Sequence, residues 1–172
     1  MNQSPASIFI SLGSNLGERE KNLLDAIHLI TKLPHTNSIH QSKMYVTAAW
    51  GKTDQPDFIN MVIEINSSLS PDELMNSLIH IEEEMGRVRN EHWGPRIIDL
   101  DILFYGNEIV NSPKLIIPHP ELQNRNFVLV PLHEIASKFI HPVLKKSVAQ
   151  LVEECPDKLT VLIATEARIS NG

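Results

Sequence analysis

Apolar and polar residues alternate along this chain in a way that predicts several β-strands. Between Phe58 and Asn66, the apolar residues Ile59, Met61 and Ile63 fall two apart, so a strand would place them on one face. Short runs of β-branched and aromatic residues bounded by Gly, Pro or polar residues predict further strands. These lie at 7–12, 39–47, 97–105 and 159–164, with a short partner strand around Ile109 after a Gly-Asn turn.

Apolar residues spaced three and four apart predict two long helices. The first covers residues 16–32, and Asn15 with Glu18 has the spacing of a capping box at its start. The second begins after Ser70, which is followed by a proline and an acidic residue, and it ends at Gly86. Two shorter helices are predicted at 122–133 and 147–155.

The order strand, helix, strand, strand, helix, strand predicts an α+β fold. It is the order of a ferredoxin-like antiparallel sheet with both helices on one face. With the C-terminal elements added, we expect a three-layer αβα arrangement. Since 42% of the 172 residues are hydrophobic and no repeat or low-complexity segment interrupts the order, we expect one domain over residues 1–172.

Composition excludes several classes of protein. The formal net charge of −6 argues against a nucleic-acid-binding surface, which needs a basic face. The single cysteine, Cys155, excludes a disulfide framework and a multi-cysteine zinc site, and the eight histidines lack the HExxH spacing of a zinc enzyme. No leader or long apolar segment is present, so we expect a cytoplasmic protein without a membrane partner.

The stretch "GPRIIDLDILFYGN" places two acids, Asp99 and Asp101, inside an apolar strand. Residues two apart share a face, so the two carboxylates would lie about 7 Å apart and repel by roughly 2 kcal/mol at an effective dielectric constant near 20. A shared proton, neighbouring arginines or bound divalent cations could each offset this repulsion. The D-x-D pattern alone does not decide between a magnesium site and an exposed strand face paired with arginine.

A basic cluster surrounds this acidic pair in an otherwise acidic chain. Arg87, Arg89 and Arg96 precede it, and His119 and Arg125 follow it. Taken singly, Arg87 and Arg89 are explained by a solvated loop after a helix, and Arg96 by an ion pair with one of the aspartates. Together, carboxylates for metal and arginines for an anion indicate a phosphoryl-transfer site.

Two further stretches are candidates for ligand binding. "TDQPDFIN" places Phe58 and Asn60 on one strand face, where a ring and an amide could bind a flat heterocycle, although Phe58 alone is more often a core residue. "SLGSNLGERE" lacks the Gly-Lys-Ser/Thr of a Walker A loop. We therefore expect Gly13 and Gly17 to serve tight turns.

Four stretches in this order resemble the 6-hydroxymethyl-7,8-dihydropterin pyrophosphokinase family over nearly the whole chain. They are "SLGSNLGERE", "TDQPDFIN", "GRVRNEHWGPRIIDLDILFYGN" and "IPHPELQNRNFVLVPLHEIA". The resemblance implies transfer of pyrophosphate from ATP to the hydroxymethyl group of the pterin, with release of AMP, in folate biosynthesis. It also implies that ATP and the pterin are the small-molecule partners. We expect a monomer.

The resemblance also implies roles for individual residues. Asp99 and Asp101 would hold two Mg²⁺ ions, and Arg89 and Arg96 would act with them in catalysis. ATP would be bound by Glu82, Arg89, Trp93, Arg96, Ile102, Lys114, Leu115, Ile116, His119 and Arg125. The pterin would be bound by Thr47, Ala48, Trp50, Phe58, Asn60, Trp93 and Phe127.

The two polar segments 48–57 and 87–95 are predicted to be loops that close over both substrates. Whether an aspartate also takes the hydroxyl proton is left open by the sequence. Two other functions remain as alternatives, a nucleotidyl transferase and a ferredoxin-like regulatory module that binds nucleotide without consuming it. The released product distinguishes them, because pyrophosphoryl transfer from ATP leaves AMP.

Overall fold

A computed structural model describes residues 6–47, 56–86 and 97–164. The strands of its main sheet are β1 (Ile8–Ser14), β2 (Asn37–Gln41), β3 (Tyr45–Thr47), β4 (Phe58–Asn66), β5 (Asp99–Tyr105) and β8 (Leu162–Ile163). They are ordered β5-β1-β4-β3-β8, and β2 pairs with β4 beside β3. Every pairing is antiparallel, so the order confirms the predicted ferredoxin-like sheet.

Helices cover both faces of this sheet. On one face, α1 (Arg19–Thr31) and α2 (Pro71–Glu84) bury a core that includes Ile10, Leu12 and Leu100. On the other face, α3 (Asn126–Ala136) and α4 (Val148–Glu154) pack on a second apolar cluster that includes Val62 and Leu103. The predicted three-layer arrangement is therefore confirmed. A 3-10 turn, Leu122–Asn124, precedes α3.

The start of α2 forms as its sequence predicts. Ser70 is the N-cap and its Oγ accepts the N–H of Glu73 at 3.2 Å, while Pro71 occupies the first helical position. Capping satisfies an N–H that would otherwise lack an intrahelical partner. In the described ranges, no helix is long and apolar enough to cross a membrane.

The predicted strand 39–47 is two strands, β2 and β3, which are separated at Ser42. The backbone N–H of Ser42 donates to the carbonyl of Val62 at 2.9 Å, while its Oγ accepts the N–H of Val62 at 2.9 Å and donates to the carbonyl of Lys43 at 2.7 Å. A side-chain oxygen thus takes the place of a backbone carbonyl in the ladder between the two strands.

The predicted partner strand after β5 pairs elsewhere. Strand β6 (Val110–Asn111) pairs with β7 (Ile116–Ile117) in a separate two-stranded sheet. The outer edge of β5 is already used, because the carbonyl of Leu103 accepts the N–H of His119 at 3.0 Å.

The predicted capping box of α1 is wrong. The helix begins at Arg19 with Glu18 as N-cap, and the Glu18 side chain makes no capping hydrogen bond. The amide of Asn15 instead donates to the carbonyl of Pro56 at 3.3 Å. Gly13 lies inside β1 rather than in a turn, whereas Gly17 has the positive φ of 67° that a turn requires.

Candidate active site

Strand register brings the predicted site residues onto one face of the sheet. Asp99 pairs with Gly13, Gly13 with Asn60, and Asn60 with Tyr45. Directly paired residues share a face, so these four form a row across β5, β1, β4 and β3. The row lies on the face that α3 covers, because Leu103 on β5 shares the face of Asp99 and belongs to the cluster beneath α3.

The acidic pair lies at the outer end of this row. Asp99 and Asp101 are half-buried, while Leu100 and Ile102 between and beyond them are buried against the α1 and α2 side. The strand therefore keeps its apolar residues in the core and directs both carboxylates to the opposite face.

Glu82 on α2 fixes the backbone between these two acids. Its side chain is only 2% exposed, and its Oε2 accepts the N–H of Leu100 at 2.9 Å. Because β5 is the end strand of the described sheet, this carboxylate occupies a position where another strand would pair. The sequence predicts a nucleotide contact for Glu82, and the structure adds this bond to the backbone of β5.

His119 lies beside the acidic pair and is neutral at ordinary pH. Burial is the main cause that lowers its pKa to about 4, the charge on Arg125 adds to this effect, and the charges on Asp99 and Glu121 act in the opposite direction. Its Nδ1 accepts the N–H of Glu121 at 3.1 Å, so the ring hydrogen is on Nε2. His119 therefore offers an uncharged N–H donor.

We expect His119→Asn to weaken the pH dependence of stability. Below pH 6.5 the unfolded chain binds a proton at this ring, but the folded chain does not do so until about pH 4, so the native state loses stability as the pH falls through this window. Discounted for partial exposure, the loss is about 2 kcal/mol. Asparagine keeps an oxygen for the N–H of Glu121 and does not titrate.

Urea unfolding of both proteins across this pH range measures the effect. As the pH falls, the free energy of unfolding of the wild type should decrease more steeply than that of the variant. The difference in slope should correspond to at most one additional proton taken up on unfolding. Parallel curves would show that the folded state protonates His119 as readily as the unfolded chain does.

A pocket of about 270 Å³ opens beside Asp101. It joins β5 to the β6–β7 hairpin and to the segment that leads into the 3-10 turn. Its lining includes the predicted metal ligand Asp101 and five of the residues predicted to bind ATP: Ile102, Lys114, Leu115, Ile116 and His119. The structure thus brings together residues from two separate stretches of sequence.

At the other end of the row, Asn60 and Thr47 form a buried polar pair. Both residues are less than 10% exposed, and Nδ2 of Asn60 donates to Oγ1 of Thr47 at 2.9 Å. Phe58 shares their face of the sheet and pairs in register with Thr47. The predicted pterin contacts on β3 and β4 therefore lie side by side.

Helix α3 contributes the remaining predicted residues in the described part of the chain. Phe127 is in its first turn, and the guanidinium of Arg125 lies 5.9 Å from the centre of the Phe127 ring. That distance allows a cation–π contact. Arg125 thus lies near the aromatic ring, and its charge lowers the pKa of His119.

The carboxylate of Glu134 supports this site, although the sequence does not reveal its role. Both oxygens of Glu134 on α3 accept the N–H of Lys43, at 3.0 and 3.2 Å, and Oε1 also accepts the hydroxyl of Tyr45 at 2.5 Å. These bonds tie β3, which ends at Thr47, to the helix that carries Phe127. An acidic residue on an amphipathic helix gives no sequence signal for such a contact.

The stretch "SLGSNLGERE" makes hydrogen bonds to the backbone just before β4. Arg19 donates from Nη1 to the carbonyl of Asp57 at 2.7 Å, next to the bond from Asn15 to Pro56. Asn22 in turn donates to Oγ of Ser14 and to a carbonyl in the same turn. This turn therefore positions the backbone immediately before Phe58 and contains no phosphate loop of the Walker A type.

Several predictions fall outside the described residues. These are the roles of Ala48, Trp50, Arg89, Trp93 and Arg96, and the closing of the loops that contain them.

The donor set at Asp99 and Asp101 fits magnesium. Hard carboxylate oxygens suit this ion, which keeps several waters and binds through one or two carboxylates together with substrate phosphates. Within 6–47, 56–86 and 97–164 no group of three or more His, Cys, Asp or Glu residues could hold a metal. A site completed by phosphate and water agrees with both observations.

Comparison with known proteins decides the family. The model of the 7,8-dihydro-6-hydroxymethylpterin-pyrophosphokinase (HPPK) family matches residues 9–137. The chain belongs to the HPPK family. That range contains every residue of the candidate site, from Gly13 on β1 to Glu134 on α3. As a member of the HPPK family, the chain is a pyrophosphokinase of folate biosynthesis with ATP as co-substrate.

Individual relatives agree with this assignment. The chain is 44% identical over 149 residues to 2-amino-4-hydroxy-6-hydroxymethyldihydropteridine pyrophosphokinase of Haemophilus influenzae, covering 87% of this chain and 92% of the relative. It is 46% identical over 156 residues to the folic acid synthesis protein fol1 of Pneumocystis carinii, covering 88% of this chain but only 20% of that longer protein.

Solved structures share the HPPK fold. A Plasmodium falciparum HPPK-DHPS structure superposes with a TM-score of 0.70 over 88% of this chain, at 16% identity. This chain spans 45% of the length of that protein, less than half. At such low identity the likeness supports the fold alone.

Proposed function

We propose that this HPPK-family chain transfers the β,γ-pyrophosphoryl group of ATP to the hydroxymethyl oxygen of 6-hydroxymethyl-7,8-dihydropterin. In this proposal Asp99 and Asp101 hold two Mg²⁺ ions. The observation that carries it is the row across the sheet, with the acidic pair and its pocket at one end and the Asn60–Thr47 pair at the other. In this proposal the nucleotide binds at the acidic end of the row and the heterocycle at the other end, side by side.

The nucleotide would enter the pocket beside Asp101. Ile102 and Leu115 provide a buried apolar wall for the adenine, and the exposed Lys114 adds a positive charge at the rim. His119 directs a neutral N–H toward the phosphates, and Arg125 supplies a planar cation suited to a phosphate group. Bound Mg²⁺ would neutralise part of the triphosphate charge and orient the phosphates.

The pterin would lie along the row toward β3. Asn60 and Thr47 would bind the amino-pyrimidinone edge, while Phe58 and Phe127 would stack against the ring faces. This direction places the hydroxymethyl group toward Asp99 and its neighbours. Proximity of the two bound substrates lowers the barrier because the reacting atoms meet without a diffusional search.

The reaction forms a bond from the hydroxymethyl oxygen to the β-phosphorus and breaks the bond from that phosphorus to the oxygen of the α-phosphate, so AMP leaves. We assign metal ligation to Asp99 and Asp101. Arg89 and Arg96 would stabilise charge on the transferred phosphates, Trp93 would close over the site, and Ala48 and Trp50 would complete the pterin pocket.

A product assay tests the proposal. Purified protein is incubated with ATP, Mg²⁺ and the pterin alcohol, and the nucleotide products are separated by chromatography. AMP formed in equal amount to the pterin diphosphate is the expected result. ADP would indicate an ordinary kinase, free pyrophosphate a nucleotidyl transferase, and unchanged ATP a binding module.

The number of metal ions has its own test. Mn²⁺ can replace Mg²⁺ as a spectroscopic probe, and paramagnetic titration in the presence of a non-hydrolysable ATP analogue counts the bound ions. Two ions per chain are expected. A single ion would overturn the two-metal assignment while leaving the reaction class intact.

The remaining predictions concern the whole molecule. We propose that the chain is one domain over residues 1–172 that acts as a cytoplasmic monomer. The main sheet with helices on both faces supports one domain. A sedimentation measurement of the mass in solution tests the monomer.

A further inference from the structure

Gly13 occupies the middle of the row that joins the two ends of the candidate site. It is buried in β1, with Asp99 on one neighbouring strand and Asn60 on the other. Adjacent strands lie about 4.8 Å apart, so roughly 10 Å separates Asp99 from Asn60 across the glycine. Because Gly13 has no side chain, nothing projects from β1 into this interval.

The space above Gly13 is used by the Asn60 carboxamide. A Cβ at position 13 would lie 2.7 Å from Oδ1 of Asn60 and 3.6 Å from the ring of Phe58. The first distance is shorter than any ordinary carbon–oxygen contact, so the amide would have to move. Such a move would stretch or break its 2.9 Å bond to Thr47.

The backbone at position 13 does not itself require glycine. The glycines with positive φ in the described ranges are Gly17, Gly86 and Gly106, and Gly13 is not among them. Glycine inside a strand costs roughly 0.5–1 kcal/mol relative to alanine, because it loses more conformational freedom on folding. A glycine here therefore lowers stability without serving a turn, and among the described residues the close contact that it permits is with the candidate binding residue Asn60.

We propose that Gly13 is a specificity-determining residue of the pterin site, an inference that rests on the proposed function. Because Gly13 has no Cβ, the Asn60 amide can keep an orientation in which its Nδ2 donates one hydrogen to Thr47. The amide oxygen and the second hydrogen are then left for the ligand. The missing Cβ also leaves the surface of the sheet between Asn60 and Asp99 flat. The ligand class that fits is a planar bicyclic heterocycle with an amino-pyrimidinone edge.

The Gly13→Ala variant tests this proposal. Titration calorimetry would measure the pterin Kd in the presence of a non-hydrolysable ATP analogue, and the Kd of that analogue alone. The pterin Kd should rise about 10- to 100-fold, which corresponds to one or two lost hydrogen bonds. The analogue Kd should stay within about twofold, and Tm should change little, because the gain of alanine over glycine in a strand offsets much of the loss of the Asn60–Thr47 bond.

A double-mutant cycle shows whether Gly13 acts through Asn60. If it does, the Gly13→Ala and Asn60→Ala double variant should bind the pterin no more weakly than Asn60→Ala alone. Independent, additive losses would overturn the proposal, as would an unchanged pterin Kd in Gly13→Ala. A lower Tm with equal weakening of both ligands would assign the glycine a structural role instead.

A failure of the Gly13 proposal can be told apart from a failure of the proposed function. If the wild-type protein forms no AMP from ATP and the pterin, the function fails whatever Gly13 does. If the wild type is active and Gly13→Ala binds the pterin equally well, only the present inference fails.

Discussion

Replacing Asp101 with alanine is expected to reduce pyrophosphoryl transfer at least about 1000-fold, the scale of losing a group that stabilises transition-state charge. The side chain faces the pocket that Ile102 and His119 also line, so its removal takes a proposed metal ligand from the nucleotide. Asp99→Ala should behave in the same way.

The same substitution should affect metal binding far more than stability. Asp101 is half-buried and lies on the same strand face as Asp99, so removing one acid removes a repulsion of roughly 2 kcal/mol together with the contacts that Asp101 makes. Without Mg²⁺, these two effects oppose each other and Tm is expected to change little. The rise in Tm that Mg²⁺ and a non-hydrolysable ATP analogue give the wild type should be largely lost, because a ligand stabilises only the fold that binds it.

Asp25 provides the matched control for this experiment. It is an exposed acid on α1 that pairs with Lys21 at 2.8 Å, far from the pocket, and such surface pairs contribute little. Asp25→Ala should keep both activity and the metal-dependent rise in Tm. Retained turnover in Asp101→Ala, or an unchanged response of its Tm to Mg²⁺, would remove the metal role from this residue.

Much of the fold could be predicted because the signals that specify it are local. The alternation in β4 gave its bounds as Phe58–Asn66, and Ser70 with Pro71 marked the start of α2. Period-two alternation also predicts which face the two aspartates share. These features depend on neighbours in sequence, which a reader of the sequence can see.

Features that depend on contacts between distant segments could not be predicted. The separation of β2 and β3 at Ser42 involves a bond to Val62, twenty residues away, and the role of Glu134 depends on Tyr45. Gly13 looks like a turn glycine until strand register places it beside Asn60. In each case the residue acts on a neighbouring strand, and the sequence does not show which strands are neighbours.

Burial likewise determines chemistry that composition does not reveal. A histidine near two aspartates would be expected to gain a proton, since nearby negative charge favours the protonated ring. In the structure, burial and Arg125 outweigh Asp99, and the pKa of His119 falls to about 4. The sequence therefore locates this residue in the candidate site but does not give its protonation state.

Glu82→Ala is expected to combine the largest loss of stability with a loss of activity. The substitution leaves the N–H of Leu100 without its carboxylate acceptor in a buried position, which costs about 1–3 kcal/mol, and it opens a cavity beneath β5. A total near 3 kcal/mol would lower Tm by roughly 6–12 °C in a chain of this size. Activity should fall because the strand segment between Asp99 and Asp101 loses its anchor.

Glu82→Gln separates anchoring from charge. Its amide oxygen can still accept the N–H of Leu100, so most of the stability and activity should return if the bond to the backbone is what matters. Glu83, the exposed neighbour on α2, supplies the control, and Glu83→Gln should change neither quantity. Urea unfolding gives the free energies, and initial rates at varied ATP give kcat and KM.

The pattern of these results decides between two roles for Glu82. If its main role is the nucleotide contact that the sequence predicts, both variants should raise KM for ATP while the free energy of unfolding changes little. If it anchors β5, alanine should lower stability and kcat together and glutamine should restore both. The buried bond to Leu100 favours the second outcome, because a carboxylate only 2% exposed has little surface left to offer a ligand.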